Sequence, residues 1–136
     1  MTTDETTDDP RYAVEVRRRV ASLYGAGALE PAPDVASGRA GDREQGAEVV
    51  LTCRIVDQKL AEIRYRAFGC PHFLAAASWL TDSLRGAGPD QLLAWDWREA
   101  AEALDVPAAK FGRLLTLQDA VRALARNWPG PAASTV

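Results

Sequence analysis

Between residues 48 and 68 apolar and polar side chains alternate with a period of two. Val49, Leu51, Cys53 and Ile55 alternate with Val50, Thr52 and Arg54; Ala61, Ile63, Tyr65 and Ala67 alternate with Glu62, Arg64 and Arg66. This pattern predicts strands over 48–56 and 60–68, each with one buried and one wet face. The short connection Asp57–Lys59 makes the pair an antiparallel hairpin. Arg54, Arg64 and Arg66 then share the wet face and keep the sheet soluble. Upstream, Tyr12, Val16, Val20 and Leu23 recur at helical spacing and predict a helix over 10–24. Residues 25–46 are rich in Gly, Pro, Ala and Asp and carry little periodicity, so a long irregular segment is expected there, with one short strand near Val35.

After Phe68 the period becomes helical throughout. Phe73, Leu74, Ala77, Leu80 and Leu84 mark the inner side of a helix from Pro71 to Arg85, stopped by Gly86. Pro89 suits the first position of a short helix through Ala94. Asp96 followed by Glu99 is a capping box that starts a helix ending near Leu104. Pro107 opens a last helix to about Asn127, with Leu114, Leu117, Val121, Leu124 and Trp128 along one side. The expected fold class is α+β: a small antiparallel sheet of two or three strands, with an N-terminal helix and a C-terminal set of helices packed on one face.

At 136 residues with 47% hydrophobic content, the chain has enough apolar surface for one core and too few residues for two ordinary domains. Residues 10–128 are read as that single domain, with disordered tails at 1–9 and 129–136. The net charge of −3 is concentrated at the start: Asp4, Glu5, Asp8 and Asp9 stand in a segment without a base. The rest is close to neutral, which argues against nucleic acid as a partner. No apolar run approaches the length of a membrane span, and the acidic start is unlike a secretory or transit signal, so a cytoplasmic location is expected. Two cysteines are too few for a disulfide framework, and one histidine excludes multi-histidine metal sites. Walker, GxGxxG and GxSxG motifs are absent from the sequence.

One position carries chemistry. Phe68-Gly69-Cys70-Pro71-His72 joins the second predicted strand to the first long helix. Pro71 in the first turn places Cys70 at or next to the N-cap, where unpaired backbone N–H groups and the helix dipole favour a thiolate. Gly69 is expected to let the backbone turn sharply and leave the sulfur accessible. His72 lies two residues on, in reach of a metal or a proton. Side chains at i and i+2 do not face each other on a helix, which counts against a Cys/His enzyme, and no enzymatic activity is expected. Cys53, mid-strand beside Leu51 and Ile55, reads as a core residue.

The stretch from Leu51 to Trp128 resembles the IscU family, which is also the N-terminal domain of NifU. Phe68-Gly69-Cys70 is similar to the family's F/Y-G-C before a helix of small residues. Ala75-Ala76-Ala77-Ser78-Trp79-Leu80-Thr81 resembles its A-S-S-S-x-x-T run. Leu104-Asp105-Val106-Pro107-Ala108-Ala109-Lys110 resembles the L-x-L-P-P-V-K segment bound by an Hsp70-type chaperone. Asp119-Ala120-Val121 is similar to its D-A-I, and Tyr12 fits its first helix.

The resemblance implies an iron–sulfur cluster assembly scaffold, with a cluster or zinc as cargo and a cysteine desulfurase and a chaperone as partners. The family's ligands are three cysteines with a nearby Asp and His. Only Cys70 falls on a cysteine position. Gln45, Gly46 and Ala47 stand at the family's C-G-D, and Gly112 and Arg113 at its H-C pair. The implied metal-ligand candidates are therefore Cys70, His72 and Glu48, the last standing in for the Asp when the alignment is shifted by one residue. Arg113 is expected to repel a cation, or to pair with Glu48 or the Cys70 thiolate. A homodimer would supply two cysteines and two histidines across a two-fold axis. Persulfide acceptance needs just one exposed, low-pKa thiol, so the expected function is a divergent scaffold or a sulfur-accepting and docking protein working through Cys70. The alternative is a non-catalytic interaction module that kept the fold and lost cluster binding.

Overall fold

The computed structural model describes residues 13–22 and 25–129. Tyr12, Leu23, Tyr24 and the expected tails, apart from Pro129, lie outside the described residues. Helix α1 spans Val14–Ser22 and buries Val16 and Val20, two of the four positions that predicted it. Three strands follow: β1 (Val35–Asp42), β2 (Ala47–Val56) and β3 (Lys59–Phe68). They form one antiparallel sheet in the order β1-β2-β3. Helices α2 (Pro71–Ser83), α3 (Pro89–Ala94), α4 (Trp97–Ala103) and α5 (Phe111–Arg126) complete the chain, with a 3₁₀ turn at Ala108–Lys110 before α5. The α+β class holds.

The hairpin is close to its sequence prediction, with two differences. The turn is the two residues Asp57 and Gln58, both at positive φ (53° and 62°), the form that matches the twist of the strands it joins. A register shift between Arg54 and Ile55 moves the buried position of β3 by one. Leu60 therefore pairs with Ile55 inside the core, and Ala61, expected inside, is exposed. On the outer face Glu62 accepts from Arg54 at 2.8 Å and pairs with Arg64 at 3.0 Å, so two of the three predicted arginines are tied down by carboxylates.

β1 is the larger correction. It is a full eight-residue strand, VASGRAGD, in a region expected to be irregular apart from a short strand. Its buried positions are Ala36 and Gly38. Small residues bury there because α5 lies against this strand: a Cβ on Gly38 would stand 2.4 Å from the Ala120 carbonyl oxygen and 2.5 Å from the Leu124 nitrogen. Before β1 the chain passes the other edge of the sheet. Tyr65 N–H donates to the Gly25 carbonyl and Gly27 N–H to that of Tyr65. It then crosses the outer face, where Leu29 N–H donates to Thr52 Oγ1 at 3.0 Å.

The core lies between the inner face of the sheet and the helices. Leu51, Val49, Cys53, Ile63, Phe73, Leu80, Leu114, Leu117 and Leu124 are fully buried within it. α5 covers β1 and β2, while α2 covers β3. α2 is enclosed on nearly every side, and even Ser78 and Thr81 are buried. Its small residues let α1 approach closely. Arg19 of α1 closes that contact, reaching Ser78 Oγ at 3.2 Å and Asp82 at 2.9 Å while also holding Glu15 at 2.8 Å.

Candidate functional site

Cys70 is the N-cap residue of α2, with extended backbone (φ −72°, ψ 166°) and Pro71 directly after it. Its side chain makes no capping hydrogen bond, and the thiol is free and half-buried. Its carbonyl accepts from Leu74 N–H at 3.0 Å, fixing the first turn. Gly69 serves a different end from the one expected. Its φ is not positive; instead, a Cβ there would lie 2.7 Å from the Phe73 ring, which is buried beneath the junction. Glycine lets β3 run straight over Phe73 into α2.

The other cysteine is shut away. Cys53 is 0% exposed, and burial pushes its thiol up to about 12, against a smaller opposing effect of a backbone hydrogen bond with Ala36. The core reading of Cys53 is borne out.

His72 lies in the first turn of α2 and is 6% exposed. Burial holds its pKa below the usual imidazole value, the Lys110 charge acts in the same direction, and Asp105 opposes both. The segment Leu104–Lys110 therefore lies beside the α2 N-terminus. Leu104 and Val106 are buried there, while Asp105, Pro107, Ala108 and Ala109 face outward. Asp105 adopts positive φ (52°) and ends α4, with Val106 N–H closing back on the Ala101 carbonyl at 2.9 Å.

Glu48 is engaged elsewhere. Its carboxylate accepts from Arg39 at 2.8 Å and meets Arg43 at 3.6 Å. Arg43 also lies 4.7 Å over the ring of Phe68, which is 42% exposed. Arg113 takes neither of its expected partners as its hydrogen-bond acceptor; it donates to the Gln45 carbonyl oxygen at 2.8 Å. Arg43 and the Arg113–Gln45 contact were not singled out from sequence. No local pattern marks an arginine that reaches a backbone oxygen 68 residues away.

The three ligand candidates, Cys70, His72 and Glu48, are not brought together as a metal-binding set. Among the described residues no group of three His, Cys, Asp or Glu side chains is arranged to hold a metal ion. A [2Fe–2S] cluster takes four ligands, usually thiolates. With Cys53 sealed in the core, one copy of this chain offers Cys70 alone, and this donor set does not fit the cluster.

Comparison with known proteins places this geometry in a family. The NifU-like N-terminal domain matches residues 12–133. The bifunctional protein NifU/MnmA of Rubrobacter xylanophilus is 32% identical over 87% of this chain, which spans 25% of that protein. The iron–sulfur cluster assembly scaffold protein IscU of Escherichia coli K12 is 28% identical over 66% of this chain and 71% of its own length. Two further curated relatives, from yeast and Plasmodium falciparum, are spanned over 62% and 51% of their length. The crystal structure of the N-terminal part of a NifU-like protein from Brucella abortus superposes with a TM-score of 0.61, covering 93% of this chain and 96% of that one. At 17% identity this last likeness speaks for the fold. With the sheet, the Cys70 junction and a match over nearly its whole length in agreement, the chain belongs to the NifU-like N-terminal domain family.

Proposed function

We propose that this protein acts in iron–sulfur cluster assembly by accepting and presenting sulfur on Cys70. The family match over residues 12–133 is the observation that carries this reading. It supports an assembly role over a bare interaction module. The geometry adds that one free, half-buried thiol stands at a helix N-terminus without a side-chain capping bond.

The step requires a donor that carries a persulfide, the class of species formed by a cysteine desulfurase. The Cys70 thiolate attacks the outer sulfur of the donor's S–SH group. The donor's S–S bond breaks, its electron pair leaves on the donor thiolate, and the new S–S bond forms on Cys70. One proton moves from the Cys70 thiol to the donor, and no net oxidant is needed. The protein then works as a carrier and docking partner rather than as a catalyst. An Hsp70-type chaperone would bind the outward residues Asp105 and Pro107–Ala109. Leu104 and Val106 become available only if the segment lifts. Among the described residues no helix is long and apolar enough to cross a membrane, and a cytoplasmic site of action is part of this reading.

Mass spectrometry after incubation with a desulfurase and cysteine tests the proposal. A sulfur adduct is expected on the wild type and absent from Cys70→Ser. An equal adduct on both, or none on either, overturns it.

A further inference from the structure

The β1–β2 loop lies on the start of α5, and the chain is pressed there at two points. Just before the loop, Gly41 near the end of β1 lies so close that a Cβ would meet Thr116 Cγ2 at 2.8 Å. At the loop's far end, Gly46 has φ +84°, and a Cβ there would stand 2.7 Å from Arg113 Nη1. The guanidinium occupies the space that any side chain at 46 would need. From there it donates to the Gln45 carbonyl at 2.8 Å. The loop is closed internally by two further bonds, Gln45 N–H to Asp42 Oδ1 at 2.8 Å and Gly46 N–H to the Arg43 carbonyl at 3.0 Å.

These are the two segments on which the family resemblance sets ligand positions, Gln45–Ala47 and Gly112–Arg113. Neither supplies a metal-binding side chain here. Of the carboxylates there, Glu48 is turned to Arg39 and Arg43, and Asp42 accepts from the Gln45 amide. A guanidinium stays charged at any working pH and repels a cation brought beside it.

We infer that Arg113 is a guanidinium clasp standing in for a metal ion: it fastens the β1–β2 loop to α5, so that one copy of this chain keeps its site closed without metal and does not itself hold zinc or a cluster. The inference deepens the assembly reading, because cluster ligands must then come from a second copy or a partner. It does not depend on sulfur transfer, and the two fail separately. A chain with no persulfide on Cys70 still shows the clasp, and a clasp disproved leaves the persulfide intact.

The test uses the full chain, treated with a chelator and then titrated with zinc ion. The chelator is expected to leave the melting temperature unchanged, and zinc to show no site of one equivalent per chain. Hydrogen exchange read on peptides over residues 43–48 gives the second measurement. Arg113→Ala should speed exchange of the Gln45 and Gly46 amides by roughly three- to tenfold, the net worth of one solvent-exposed hydrogen bond. The β2–β3 hairpin amides should not change. Arg113→Gln, read at the same amides, serves if the alanine variant does not fold. One equivalent of zinc per monomeric chain, lost in Cys70→Ser, overturns the inference. So does unchanged exchange at residues 45 and 46 in the folded variant.

Discussion

Cys53 and Cys70 show how far environment separates two identical side chains. Cys53 is sealed among Leu51, Ile55 and Ile63, and burial keeps its proton on up to about 12. Cys70 stands at the end of β3, half-buried, with Pro71 beginning the helix beneath it. A thiol reagent at neutral pH should therefore modify one thiol per native chain, and two once the chain is unfolded in guanidinium. Cys70→Ser should remove the native signal and Cys53→Ala should leave it. Both assignments were legible in sequence: the strand pleat placed Cys53 inside, and Pro71 placed Cys70 at a helix start. Glu48 was legible only as a side chain on the right strand. Which cations it meets depended on Arg39 across the β1–β2 ladder and Arg43 in the loop.

The packing of α5 on β1 is the element contact that sequence patterning missed. A strand announces itself through bulky apolar residues at alternate positions, and β1 buries Ala36 and Gly38 instead. The small residues exist because a helix backbone sits where side chains would be. Gly38→Ala should consequently cost about 3 kcal/mol, since its methyl meets the backbone of Ala120 and Leu124 rather than a yielding side chain. Chemical denaturation gives that difference directly. Gly112→Ala on the same helix has open space around its Cβ and is expected to leave stability unchanged or slightly raised. The register shift at Arg54/Ile55 belongs to the same scale. It exchanges Leu60 for Ala61 in the core, a bulkier apolar side chain for a methyl, and hydrophobic burial favours that exchange.

For the molecule as a whole, buried titratable groups set a window of stability. His72 has a lowered pKa in the fold, so the unfolded chain takes up a proton first as pH falls below about 6.5. Its contribution is complete above that pH and is lost progressively on acidification. Cys53 and Tyr65 act at the other end. Both are raised, chiefly by burial, so the unfolded chain gives up their protons first. Above pH 9 the thiol should remove about 1.4 kcal/mol per pH unit until its folded value near 12 is reached. Tyr65 adds to the same slope above pH 10. Denaturation midpoints measured from pH 5 to 10.5 should fall at both ends. His72→Gln should flatten the acid limb, and Cys53→Ala the alkaline one.

The sequence alone determined the hairpin, the helices after Phe68, the core face of β2 and the position of Cys70. Each rests on periodicity or on a residue whose backbone preference acts locally, such as Pro71, Pro89 or Asp96. It also carried the family resemblance, because the motifs are short and ordered. Only the tertiary structure decided that β1 is a full strand, that Leu60 rather than Ala61 faces inward, and that Glu48 and Arg113 have partners other than a metal or a thiolate. Those outcomes are set where distant segments meet. Backbone approach, a shifted ladder and a guanidinium reaching a carbonyl across the fold leave no periodic trace along the chain.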